Sequence, residues 1–195
     1  MQAITKTQYV DPVTFSVLCG VPGIARTLVR NVEWHGCRYD PAAPITILLD
    51  TPHGFAPRIL GTLGTSRRSL IIGTWSYCPE YWEDLWDLHP NVLIAGDGLD
   101  LDMTAAVQRV AQGERYRMTP DGRTLLTPAE RRMLRLLAYG QSNLQVAEQM
   151  IMKHQTVKNV MATIYKKLGI KNRTEAALYY WGIWQIFELE LPNAL

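Results

Sequence analysis

Over the first 120 positions the apolar residues stand in short, unbroken runs, at 14–18, 45–49, 70–74 and 92–95. Runs of this length without in–out alternation are the pattern of strands buried on both faces of a parallel sheet. Between them the apolar spacing turns helical. Ile24, Leu28 and Val32 share one face over 24–34, Ala106, Val107 and Val110 share another over 103–112, and helices are also expected at 57–63 and 79–88. Alternating strand and helix predicts a doubly wound α/β layer with right-handed crossovers. Functional groups in such sheets collect beyond the carboxyl ends of the strands, which here singles out Cys19, Asp50, Thr74 and Gly96. Tyr81, Trp82, Leu85 and Trp86 form an aromatic stripe on one helix face, with Glu83, Asp84 and Asp87 opposite. The stripe serves either as core or as a protein–protein surface anchored by Trp82 and Trp86.

The pattern changes after Gly113. Residues 114–125 mix polar, Pro and Gly residues without period, as a linker does. Thr127-Pro128-Ala129-Glu130 and Ser142-Asn143-Leu144-Gln145 then spell two capping boxes. They open helices over 128–138 and to about 150, and a third follows over 154–168, with Val157, Val160, Met161, Ile164 and Leu168 apolar at helical spacing. Two short helices and a three-residue turn fit a helix-turn-helix. A fourth helix is expected over 174–190, so rich in aromatics that Tyr179, Tyr180 and Trp184 are assigned to a partner surface, most simply a second copy of the chain.

Composition sharpens this division. The 195 residues are 47% hydrophobic and 19% charged, as expected of globular domains. No run approaches the roughly 20 apolar residues of a membrane span. The start lacks a signal-peptide pattern, and three widely spaced cysteines are not a disulfide framework; a cytoplasmic location and no membrane partner are expected. Residues 1–120 carry 10 basic and 12 acidic side chains, whereas 121–195 carry 10 and 6, so the net charge moves from −2 to +4. Six of those bases, and no acid, fall within 153–173. A basic face confined to one domain is the footprint of a polyanion partner. His35 and Cys37 lack a second pair at zinc spacing, and Asp97, Asp100 and Asp102 lack the closing glutamate of a calcium loop. No phosphate loop or nucleophile motif is present, so neither an enzyme, a metal nor a cofactor is expected.

Residues 126–177 contain LTPAE, AYGQSN, VAEQM, TVKN and KKLGIKNRTEAA. In these motifs the segment resembles the LuxR/FixJ (NarL)-type DNA-binding domain, over nearly the whole of that module. The resemblance implies that 142–150 crosses the DNA backbone and 154–168 is the recognition helix. Lys158 and Asn159 would reach base edges. Thr156, Lys166 and Lys167 would contact phosphates, and Lys153, His154, Gln155 and Ala162 complete the DNA-facing set. The chain departs from the family in placing Lys153 where a capping Ser is common. The beginning of the fourth helix resembles the family's dimerisation helix.

The N-terminal half resembles, in architecture, the flavodoxin-like receiver domains of response regulators. Asp50 ends ITILLD as their phosphoacceptor does, and Thr74 ends SLIIGT as their switch hydroxyl does. The departures are chemical. Cys19 and Gly20 stand where receivers place two cation-binding acids, and Gly96 and Asp97 stand where a lysine belongs. The interval before Asp50 is also too short for a full helix-strand-helix. The expected organisation is therefore an atypical receiver-like domain (1–113), a linker (114–125) and a four-helix LuxR-type domain (126–195). The expected function is transcription regulation by a homodimer on an inverted repeat of double-stranded DNA. Asp50 and Thr74 are expected to be inactive, and a protein or small molecule is the expected input at the N-terminal domain. Two readings stay open beside it, a phosphorylation switch at Asp50 and a protein-interaction module without DNA.

Overall fold

The computed structural model describes residues 11–63, 69–96 and 99–183. Its N-terminal domain is built from β1 (Thr14–Cys19), α1 (Pro22–Trp34), β2 (Arg38–Tyr39), β3 (Ile45–Leu49), α2 (Phe55–Leu63), β4 (Ser69–Thr74), α3 (Pro79–Trp86), β5 (Val92–Ala95), α4 (Leu99–Ala111) and β6 (Tyr116–Met118). All six strands are parallel, in the order β2-β1-β3-β4-β5-β6. The strand order reverses between β1 and β3, the doubly wound arrangement that the sequence predicts. β3 and β5 are buried along their whole length, which is why their runs do not alternate.

Two strands were not foreseen. β2 is two residues long, and a turn at 40–43 leads directly from it into β3 where a receiver would place a helix. The short interval before Asp50 is thus accounted for by a lost helix. β6 lies inside the expected linker, where Tyr116, Arg117 and Met118 pair with Val92, Leu93 and Ile94. The sheet therefore claims the first residues of 114–125. Three residues contribute too little apolar pattern to show as a strand.

The helices divide between the two faces of the sheet. α1 and α4 pack Leu28, Val32, Met103, Ala106 and Val107 against one face. α2 and α3 cover the other, and here the core does not stop at the domain edge. Leu48, Ile72, Tyr81, Trp82 and Leu85 belong to one continuous buried cluster with Met133, Leu134, Leu137, Val157 and Tyr180 of the C-terminal domain. That domain consists of α5 (Pro128–Ala138), α6 (Asn143–Met150), α7 (His154–Leu168) and α8 (Arg173–Tyr180). No described helix is long and apolar enough to cross a membrane.

Candidate nucleic-acid interface

Side-chain caps start three of the four described helices of the C-terminal domain, α5, α6 and α8. Thr127 accepts from the Glu130 N–H, and Glu130 accepts in return from the Thr127 N–H at 2.8 Å. Ser142 and Gln145 repeat the arrangement at α6. α7 begins at Lys153 with no side-chain cap, in keeping with the absence of a Ser there. The turn between α6 and α7 passes through Ile151 in the left-handed region at φ 55°, and Gly169 closes α7 at φ 69°. Val157 and Ile164 are buried beneath α7 and fix its rotation.

That rotation leaves one face of α7 to solvent. Lys153, His154, Gln155, Thr156, Lys158, Asn159, Ala162 and Lys166 are all exposed, and Gln155 donates to Asn159 Oδ1 at 3.2 Å. The structure thus leaves the sequence-predicted DNA-facing residues on the solvent side of α7, and one of them, Lys167, is tied to a carboxylate. Lys167 Nζ lies 2.6 and 2.8 Å from the two carboxylate oxygens of Glu130 and is held by the first capping box. Partial burial pushes the Glu130 carboxyl up, but Lys167 and Thr127 outweigh it and hold it below its usual value. Arg173, also in the basic cluster, turns inward, donating to Leu137 O at 3.3 Å and to Gln141 O where the chain leaves α5.

The residues assigned to dimerisation lie elsewhere than expected. Tyr180 is fully buried and Trp82 nearly so, and both sit between the two domains of a single chain. The Tyr180 hydroxyl donates to Asp84 Oδ2 at 2.6 Å, and Tyr179 donates to Glu80 Oε2 at 2.7 Å. Trp82 donates its indole N–H to Ser76 O at 2.7 Å, while Trp86 is half-buried under the Arg115 guanidinium, 4.4 Å from its ring. The fourth helix ends at Tyr180, with Gly182 at φ 71°, and Trp184 lies outside the described residues. Sequence reasoning missed Arg131 and Arg135. Arg131 Nε meets Asp84 Oδ1 at 3.0 Å and also reaches Asp87, and Arg135 meets Asp84 at 3.2 Å. Burial pushes the Asp84 carboxyl up in spite of these partners. Arg131 and Arg135, four apart on α5, with Asp84 on α3 and Asp87 just after it, were the available signal.

Asp50 is completely buried. Its Oδ1 accepts from the Ala56 N–H at 2.8 Å, and its Oδ2 accepts from the Tyr81 hydroxyl at 2.6 Å and from Thr74 at 3.3 Å. Gly20 donates to Thr51 O at 2.9 Å, and a Cβ placed on Gly20 would lie 2.7 Å from that same oxygen. No acidic side chain fits there without moving the backbone, and the soft thiol of Cys19 is a poor ligand for a hard divalent cation. The residues present therefore do not fit the cation site of a phosphorylatable receiver. Asp97 lies outside the described residues. Near the crossover from β1 to β3, Val21, Ile24, Leu28, Leu49 and Trp75 line a cavity of about 450 Å³.

Residues 124–180 match the family model described as bacterial regulatory proteins, luxR family. The DNA-binding transcriptional activator DevR/DosR of Mycobacterium tuberculosis is 37% identical over 79 residues, 40% of this chain and 36% of that protein. The uncharacterized transcriptional regulatory protein YvfU of Bacillus subtilis is 29% identical over 121 residues, 58% of this chain and 60% of its own length. The matched stretch is thus less than two thirds of either relative. Among solved structures, a chain from two RcsB dimers bound to two parallel DNAs superposes with a TM-score of 0.55 at 16% identity, covering 88% of this chain and 99% of that one. At that identity the likeness concerns the fold, a receiver-like α/β domain followed by a helical one.

Proposed function

We propose, from the luxR-family helix-turn-helix that this chain carries at its C-terminus, that the protein is a sequence-specific DNA-binding transcription regulator. The observation that carries the reading is the solvent face of α7, where Lys158 and Asn159 stand beside Thr156 and Lys166 with no acid on the same helix. A face of this length and charge suits the major groove, with Lys158 donating to guanine and Asn159 pairing with adenine. Thr156, Lys153 and Lys166 supply phosphate contacts, which give affinity without sequence preference. Two such domains in a homodimer would read an inverted repeat about one DNA turn apart. A chromosomal target implies a cytoplasmic protein, and no enzymatic step is ascribed to it.

Control in this reading does not run through aspartyl phosphate, because both Asp50 oxygens are engaged and the cation ligands are replaced. The half-open pocket beside α1, where Thr27 and Asn31 join the apolar Val21, Ile24, Leu28, Leu49 and Trp75, is the candidate place for a different input on the α/β domain. Selecting bound fragments from random duplex DNA yields the operator. A titration at fixed salt then tests the assignment, with Lys158→Ala expected to weaken specific binding by about 1–3 kcal/mol. If the intact protein ignores every duplex even in dilute buffer, the reading is wrong.

A further inference from the structure

Lys158 and Asn159 are both exposed on α7, but they present different chemistry. An ammonium carries three equivalent donors and no acceptor, so Lys158 can meet guanine O6 and N7 at any rotation of its terminal group. A carboxamide is an acceptor on one side and a donor on the other. Adenine offers its N6–H donor and N7 acceptor in a fixed order, so Asn159 matches it in one setting of the amide and opposes it in the other. Guanine has acceptors at both places and is refused only while Oδ1 stays on the side that faces O6.

The structure holds that amide from one side. Gln155, one turn earlier on the same exposed side of α7, donates from Nε2 to Asn159 Oδ1 at 3.2 Å. Thr163, one turn later, donates to the Asn159 backbone carbonyl at 3.1 Å and leaves the amide alone. Side chains four apart on a helix are neighbours, so this contact needs no distant element. It uses one lone pair of Oδ1 and none of Nδ2. The second lone pair and the Nδ2 hydrogens stay available to a base. In water a pair of this kind biases the amide only modestly. In a groove from which water is excluded the same hydrogen bond is stronger, so its effect falls where the base is read.

We propose, resting on the DNA-binding reading of α7, that Gln155 is a positioning residue for Asn159: it fixes the acceptor–donor order of the Asn159 amide, so that this position accepts adenine and rejects guanine. Gln155 and Asn159 then form one reader, while Lys158 works alone. Without Gln155 the Asn159 amide turns freely and can offer Nδ2 to guanine O6 or N7.

The test titrates the full chain, as wild type, Gln155→Met, Asn159→Ala and the double variant, against the duplex selected from random DNA and against copies with each other base at every position. The position where Asn159→Ala loses its preference is the one Asn159 reads. There Gln155→Met, which keeps the length of the side chain without its amide, is expected to lower the adenine-over-guanine ratio about five-fold or more. Preference at the other positions and the slope against salt should not move. In the Asn159→Ala background the same substitution should change nothing further, as expected of one residue acting through another. Gln155→Lys, which keeps a donor for Oδ1, should retain the adenine preference. Preference lost at a different position makes Gln155 a base reader in its own right, and an unchanged ratio makes it a bystander; either overturns the proposal, as does an Asn159→Ala chain that loses no preference. A wild-type chain that binds no duplex refutes the DNA-binding reading and this role with it, whereas binding that is indifferent to Gln155 refutes only the role. Gln155 is exposed, so the variants should melt with wild type, and Gln155→Ala decides if Gln155→Met does not fold.

Discussion

Lys166 and Lys167 are adjacent and equal in charge, yet the structure gives them different work. Lys166 projects from α7 with no acidic partner among the described residues, whereas Lys167 bridges both oxygens of Glu130. Lys166→Ala is expected to weaken binding to all sequences alike and to reduce the slope of log affinity against log salt by about 1. Lys167→Ala should leave that slope nearly unchanged and lower stability in urea by roughly 0.5 kcal/mol, the usual scale of an exposed pair. The latter loss depends on pH. The Glu130 carboxyl titrates lower in the folded chain than in the unfolded one, so the pair stabilises at neutral pH. That contribution fades as pH falls through the acid range, and wild type and Lys167→Ala should converge there. A slope that drops by about 1 on removing Lys167 would return that residue to the phosphate contacts.

At the scale of elements, the helices that carry local signals were legible and the pieces defined by distant partners were not. α5 and α7 run over the expected ranges because a capping box or a left-handed glycine marks an end of each. β2 and β6 are fixed only by the strands beside them, and two or three residues hold no period to detect. α8 ends at Tyr180, short of the span its aromatics predict, because the apolar pattern continues past Gly182 while that residue's positive φ turns the chain. Of the candidate site, the α7 face was legible from spacing and resemblance, whereas the fates of Lys167 and Arg173 depended on carboxyl and carbonyl groups far away in sequence. The uncapped start of α7 yields a prediction at this scale. Lys153→Ser restores a side-chain acceptor for the first turn and should stabilise the domain by about 1 kcal/mol. It also removes a charge from the DNA-facing side, so the salt slope should fall even as the melting temperature rises. A substitution that raises both would show that Lys153 lies away from the phosphates.

Across the whole molecule, the acidic row on α3 and the basic pair on α5 explain why aromatic residues expected on a partner surface are found inside one chain. They also place Asp50 in a structural role. For a carboxylate to attack a phosphoryl group it needs a free oxygen, a route for the donor and a cation to offset the charge that develops on the phosphoryl oxygens. Asp50 Oδ1 is held by a backbone N–H, Oδ2 by two hydroxyls, and the residue is sealed from solvent. Where the cation ligands would stand, Gly20 packs against the Thr51 carbonyl and Cys19 offers only a thiol. Incubation with acetyl phosphate and Mg²⁺ is therefore expected to add no phosphoryl group by intact-mass measurement and to leave the DNA-binding isotherm unchanged. A stoichiometric phosphate on the wild-type chain, absent from Asp50→Asn, would show that Tyr81 releases the carboxylate to a donor and that the α/β domain remains a phosphorylation switch.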